Sequence, residues 1–237
     1  MPRKYVAFDI ETAKDVPGAD FNWKPHRPLG ICCAAALRCD EQEAILWHGK
    51  RGDGGPAQRM SQAEAKQVAF ELSRLVAEGY TLLTWNGLGF DLDILAEESD
   101  SREECRELAL NHVDAMFHVL CQLGYPVGLE KAAQALRLPG KPPGMSGVLA
   151  PQLWQKGRHQ EVLQYVAQDV RIALQVTQKS EARGRFEWIT RKGTLSSMDL
   201  PHGWVIVRDA ARLPLPDTSW MTRAVPRSEF TQWVGIE

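Results

Sequence analysis

The sequence predicts an α/β fold in which a mixed five-stranded sheet is flanked by helices, with a Trp-rich C-terminal extension. Three observations lead there. Short β-branched and aromatic runs recur between residues 4 and 113, helical apolar periodicity sets in only after Ser61, and four of the eight tryptophans (Trp188, Trp204, Trp220, Trp233) follow residue 184. The elements run as three strands with a hairpin, then helix, strand, helix, strand and further helices, the order of a mixed sheet covered by helices.

Residues 4–10 read as a buried strand through Tyr5, Val6, Phe8 and Ile10. A Pro- and Gly-containing loop follows, from about Asp15 to Pro28. Ile31–Leu37 and Ala44–Trp47 are the next strands, and the short polar link Arg38–Glu43 makes them a hairpin. A Gly-rich stretch (Gly49, Gly52, Gly54, Gly55) leads to Ser61, an N-cap with Glu64 three residues on. The helix after it sets Val68, Leu72, Leu75 and Val76 on one face, and Gly79 ends it. Tyr80–Trp85 is the fourth strand, broken by Asn86-Gly87. Helices are expected over 90–97, 102–110, 115–123, 129–136 and 159–180, with Asn111–Val113 a short fifth strand and Asp114 the cap of the helix behind it. Pro and Gly cluster in a loop over 139–147. The expected organisation is a domain over 1–183 and a strand-and-loop extension over 184–237 packed on it.

Composition narrows the functions. With 28 basic and 30 acidic residues the net charge is -2, so any contact with nucleic acid is a local patch rather than a global field. No apolar run approaches the ~18 residues of a membrane span. Met1 to Tyr5 run straight into a strand without a signal peptide, and the five cysteines lack CxxC or metal-ligand spacing; they read as reduced, mostly packed thiols of a cytoplasmic protein. There is no GxxxxGK[ST], HExxH or GxSxG, and Gly87-Leu88-Gly89 lacks the third glycine of a dinucleotide fingerprint.

The strongest chemical signal is Phe8-Asp9-Ile10-Glu11-Thr12. The strand period of two turns Asp9 and Glu11 to one side and Phe8 and Ile10 to the other. Two like charges at the end of a buried strand repel and are costly to desolvate, and a divalent cation offsets both costs. A strand end with both acids solvated is the plain alternative. The second signal is Trp85-Asn86-Gly87-Leu88-Gly89-Phe90-Asp91, a strand, a turn and an acid in the first turn of a helix, where the helix dipole alone also favours it. The third is Tyr165-Val166-Ala167-Gln168-Asp169. Tyr165 and Asp169 share a helix face at i and i+4, close to an apolar stripe, where an acid calls for a partner such as a metal or an arginine.

In this order and context the three motifs resemble the DEDD superfamily of 3′–5′ exonucleases, on the ribonuclease H-like fold, over roughly residues 4–180. The Tyr four residues before the last Asp matches the tyrosine subclass. Leu138 to Lys141 and Ser146-Gly147, ahead of the Tyr165–Asp169 helix, are similar to exonucleases related to the proofreading domain of family B DNA polymerases. The resemblance implies two-metal phosphodiester hydrolysis with Mg²⁺ or Mn²⁺. Asp9 would bridge both ions, Glu11 and Asp169 would complete the site beside the attacking water, and Asp91 would hold the second ion through water. Tyr165 would orient the water, since a free phenol with a pKa of ~10 is a poor base.

The implied activity is 3′–5′ exonucleolysis at single-stranded ends, DNA ahead of RNA. Thr12, Asn86, Phe90 and Lys141 are the candidate substrate contacts, each with an ordinary structural role as its alternative. Trp23, Lys24, His26 and Arg27 have the composition to floor a single-strand groove, or to form a surface loop. Competing functions are a ribonuclease H-type endonuclease, a non-catalytic nucleic-acid-binding module and a proofreading or trimming subunit that needs a partner. The tail, with eight basic residues and six acids from Arg183 on, is a possible partner surface; its tryptophans are expected mainly to cover the sheet or helices.

Overall fold

The computed structural model describes residues 3–16, 22–140 and 145–236. β1 (Tyr5–Thr12) is the central strand, antiparallel to β2 (Ile31–Arg38) and parallel to β4 (Thr81–Thr84). β3 (Ile45–His48) and β5 (Val113–Asp114) form the edges, giving the order β3-β2-β1-β4-β5. The mixed sheet flanked by helices is therefore the fold the element order predicts. The fifth strand sits one to two residues later than expected, because the helix before it runs through Asn111 and His112 caps it.

Helices cover both faces. Val6, Phe8 and Ile10 enter one apolar cluster with Val68, Leu72 and Leu75 of α1 (Gln62–Ala77), with α2 (Asp91–Ser99) and with α3 (Arg102–Asn111). Tyr5 and Ala7 enter the other with Val162, Val166 and Val170 of α7 (His159–Arg183). Between α3 and α7 lie α4 (Ala115–Leu123), α5 (Leu129–Ala135) and α6 (Ala150–Gln155). Burial on both faces explains why β1 reads as nearly continuous apolar sequence.

Ser61 and Glu64 form the expected capping box: the Glu64 amide donates to Ser61 Oγ at 3.3 Å and the Ser61 amide to Glu64 Oε2 at 2.7 Å. Val76 departs from expectation. It is 37% exposed, since a step of about 100° past Leu75 carries it off the buried stripe. Helix α6 was not expected. Six residues are too few to show a period, and the helix is pinned by its own Trp154, whose Nε1 donates to the distant Ala57 carbonyl at 2.9 Å. α7 runs three residues past its expected end, and Gly184 closes it in the left-handed region (φ 62°).

After α7 a hairpin of β6 (Arg185–Ile189) and β7 (Leu195–Asp199) is followed by α8 (Val207–Ala210) and α9 (Ser228–Thr231), so the extension holds short helices as well as strands and loops. Trp188 and Trp204 are buried, with Trp204 Nε1 donating to the Thr177 carbonyl of α7 at 3.0 Å. Trp220 is 68% exposed and does not cover the core. Among the described residues no helix is long and apolar enough to cross a membrane.

Candidate active site

The alternation of β1 decides where its acids go. Residues 6, 8 and 10 face α1, so Asp9 and Glu11 face α7. On α7, Tyr165 and Asp169 lie one turn apart and face back. Carboxylate oxygens of Asp9, Glu11 and Asp169 all come within 4.8 Å of one another. Glu11 and Asp169 are buried and Asp9 is half-buried. At such spacing each pair of ionised carboxylates repels by roughly 3 kcal/mol at an effective dielectric of about 20. The trio is thus unfavourable by itself, and its all-oxygen donor set fits a hard divalent cation.

The repulsion appears in the acidities. Burial first, then the charges of Asp91, Asp169 and Glu11, push the Asp9 carboxyl well above the usual carboxylate range. Burial likewise pushes Asp91 up to about 7, against the hydrogen bonds from Asp9 and from the Ile10 amide that hold it down. Burial and the neighbouring charge of Asp169 drive the Tyr165 phenol far above its ordinary value, so it stays protonated and hydrogen-bonds Asp169.

Asp91 lies behind the trio. It is 2% exposed, accepts from the Ile10 amide at 3.0 Å and hydrogen-bonds Asp9. It is set there by the turn Asn86–Phe90, whose first residue has φ 81°. Gly87 is required in that turn, because an added Cβ would come within 2.4 Å of the Thr84 side chain. Asp114 caps α4 by accepting from the Phe117 amide at 3.0 Å, as expected. It also accepts from the amides of Asn86 (3.0 Å) and Leu88 (2.8 Å), a second role that its spacing from α4 does not signal.

The trio and Tyr165 line a cleft of about 340 Å³. Its walls include Thr12, Asn86 and Phe90 from the candidate substrate contacts, together with Trp85, Met116, Leu129, Gly147 and Val148. Lys141 lies outside the described residues. Every charged side chain among the described lining residues is a carboxylate. Gly147 crosses close to the acids: a Cβ there would sit 4.0 Å from both Glu11 Oε2 and the Tyr165 hydroxyl. Val148 of that wall is exposed, and an apolar residue next to a Pro/Gly-rich stretch is its only mark in the sequence.

None of Trp23, Lys24, His26 and Arg27 lines the described cleft. Arg27 is tied to neighbouring acids. It makes a two-pronged ion pair with Asp93 (2.9 and 3.0 Å), another with Glu97 (2.9 Å), and lies over the Trp23 ring. Trp23 is buried edge-on to Phe90 at 5.4 Å, and Lys24 Nζ donates to the Glu229 carbonyl. Buried Asp93 orients Arg27, although in the sequence it has the look of an ordinary first-turn acid.

The fold has known counterparts. The family B DNA polymerase of the hyperthermophilic archaeon Pyrobaculum calidifontis aligns over 76% of this chain and 25% of its own, at 16% identity and a TM-score of 0.54. Exonuclease I of E. coli, solved with a dT13 oligonucleotide, aligns over 77% of this chain and 42% of its own at 16% identity, but with a TM-score of only 0.36. The fold likeness therefore rests on the polymerase, of which this chain spans a quarter of the length. No curated protein matches the sequence. A model of the RNase H superfamily matches residues 45–180, a stretch that holds Asp91, Tyr165 and Asp169 but not β1, so the place of Asp9 and Glu11 rests on geometry. With that match spanning more than half of its length, the chain belongs to the RNase H superfamily.

Proposed function

We propose that this protein is a metal-dependent 3′–5′ exonuclease of the tyrosine DEDD subclass, acting on single-stranded 3′ ends and on DNA in preference to RNA. Residues 1–183 would form the nuclease domain and 184–237 an extension packed on it. The single observation that carries the reading is the convergence of Asp9, Glu11 and Asp169 within 4.8 Å in the wall of a cleft that Tyr165 also lines. Superfamily membership and fold support a nuclease. The apolar walls at Trp85, Phe90, Met116 and Leu129 suit stacking on an unpaired terminal nucleotide, and a cleft at the small end of ligand sites suits a chain end.

Asp9, Glu11, Asp91 and Asp169 would hold two Mg²⁺ or Mn²⁺ ions. Such ions, when bound, supply the acidity of the attacking water and the neutralisation of charge on the attacking and leaving oxygens. The described cleft offers only carboxylates as charged groups, so bound cations would favour the approach of a phosphodiester. The chain's own part is positional. Asp9 and Glu11 are fixed by the rigid central strand, Asp169 by α7, and Asp91 by its bond to the Ile10 amide. With its proton given to Asp169, the Tyr165 hydroxyl oxygen would orient the nucleophile as a hydrogen-bond acceptor. Tyr165→Phe is expected to slow cleavage by about 10- to 100-fold, less than loss of a carboxylate. Single-turnover rates at saturating metal check this; a variant as inactive as Asp9→Asn makes the phenol an essential acid instead.

Purified protein incubated with 5′-labelled and 3′-labelled single-stranded DNA and RNA, in Mg²⁺, Mn²⁺ or EDTA, tests the whole reading. A metal-dependent ladder from the 5′ label, with early release of the 3′ label as mononucleotide, is expected. Internal cuts would point to an endonuclease. Binding without cleavage would move the function to a partner-dependent or non-catalytic module.

A further inference from the structure

We infer that the C-terminal segment 228–236 is a positioning element for Asp91, acting through the turn that precedes it. The inference rests on the reading of Asp91 as part of the active site. The helix that begins at Asp91 has no side-chain cap, since its N-cap residue is Phe90. The body of the helix is held by core packing and by Arg27, and its first turn is led in by the turn Asn86–Phe90. The bonds of that turn can be followed one by one. The Asn86 and Leu88 amides donate to Asp114, the Gly87 amide donates to Thr84 Oγ1, and the Asn86 and Gly87 carbonyls accept from the Gly89 and Leu92 amides. The Leu88 carbonyl accepts from Trp233 Nε1 at 2.7 Å. That bond reaches the turn from 145 residues away in the chain.

A second contact from the same segment grips the next residue. A Cβ built on Gly89 would stand 2.5 Å from the Phe230 ring, so the ring lies directly against the glycine backbone. Phe230 in turn packs on Phe117 at 5.9 Å, the residue whose amide is held by Asp114. The turn is thus held on its amide side by Asp114 and on its other side by the tail. The tail is itself anchored: Arg106 Nε donates to the Val234 carbonyl at 2.8 Å, and Val234 is fully buried. Groups that orient a metal-binding carboxylate commonly change its affinity for metal by 10–100-fold when removed.

The test uses the full chain and three variants: Trp233→Ala, Trp233→Phe, which keeps a ring but no N–H, and Trp220→Ala, which removes an exposed tail tryptophan away from the turn. The first readout is hydrogen exchange of the Ile10 amide, followed by NMR, because that amide is held by Asp91. Exchange of Ile10 relative to the other β1 amides is expected to rise at least about tenfold in Trp233→Ala, less in Trp233→Phe, and not in Trp220→Ala. The second readout is calorimetric binding of Mn²⁺ without nucleic acid. The half-saturating concentration is expected to rise about tenfold in Trp233→Ala. Wild-type Ile10 protection and Mn²⁺ affinity in both Trp233 variants overturn the inference; if Trp233→Ala does not fold, Trp233→Phe decides it. Selective loss of Ile10 protection in a protein that never binds Mn²⁺ or cleaves would uphold the positioning role and remove the nuclease reading.

Discussion

Asp9→Asn and Asp169→Asn are each expected to lose nucleolytic activity by about 10³-fold or more, while the metal-free proteins stay folded and melt no lower than wild type. The two halves of this expectation have one origin. Three carboxylates share a space in which their oxygens lie within 4.8 Å, next to a further buried acid, Asp91. Replacing one by its neutral isostere removes the cost of holding either a charge or a proton in that buried space, and changes almost no volume. The same change removes a ligand from ions whose charge stabilisation is worth several kcal/mol, and about 1.4 kcal/mol is tenfold in rate. A structural ion pair behaves in the opposite way, because loss of one partner strands the other and destabilises the protein. Activity at saturating Mg²⁺ and melting temperature in EDTA are measured on the same preparations. Retained cleavage in either variant excludes these acids as the catalytic centre. A lowered melting point would show that the trio is held by cationic partners instead of awaiting a cation.

The central strand was legible because its two chemistries are interleaved. The alternation of Phe8 and Ile10 with Asp9 and Glu11 states both the buried strand and the direction of the acids. The i, i+4 spacing of Tyr165 and Asp169 does the same for α7. That these two pairs meet depends on α7 crossing the sheet face occupied by Tyr5 and Ala7, which no local pattern contains. Asp114 was read as a cap, and it is one, but its hold on the Asn86–Leu88 turn is a contact 26 to 28 residues distant in sequence. The composition of Trp23 to Arg27 suits a groove floor and a surface loop alike, because it does not contain the partner of Arg27, and Asp93 takes that place. The tail was legible as apolar cover or as a surface for bases or a partner. Trp188 and Trp204 do cover the core, whereas the indole N–H of Trp233 finds its partner beside the site.

In the absence of metal, Asp91 is expected to make the fold less stable as pH rises from about 4 to about 7, and Mn²⁺ is expected to reverse the loss. Burial raises its carboxyl from 3.8 to about 7. Across that interval the folded protein keeps a proton that the unfolded chain has already released, so raising the pH favours unfolding. Above about 7 the loss is complete, at roughly 4 kcal/mol for a shift of this size. Two buried histidines act in the other sense. Burial lowers His112, and lowers His118 to about 4, so the stability they contribute is present above 6.5 and is lost as pH falls toward their folded values. Asp9, whose carboxyl is also raised, acts in the same sense as Asp91, so the wild-type profile mixes all of these effects, and comparison with Asp91→Asn isolates the part due to Asp91. The variant keeps the histidines and carries a side chain that needs no proton. Without metal, the two proteins are expected to melt together near pH 4, and the variant to melt higher by on the order of 10 °C at pH 8. Saturating Mn²⁺ is expected to close that gap at pH 8 and to change little at pH 4, where protons already occupy the carboxylates. Equal melting points at pH 8 in EDTA would mean that Asp91 is ionised in the fold without cost, and that a bound cation has no strain there to relieve.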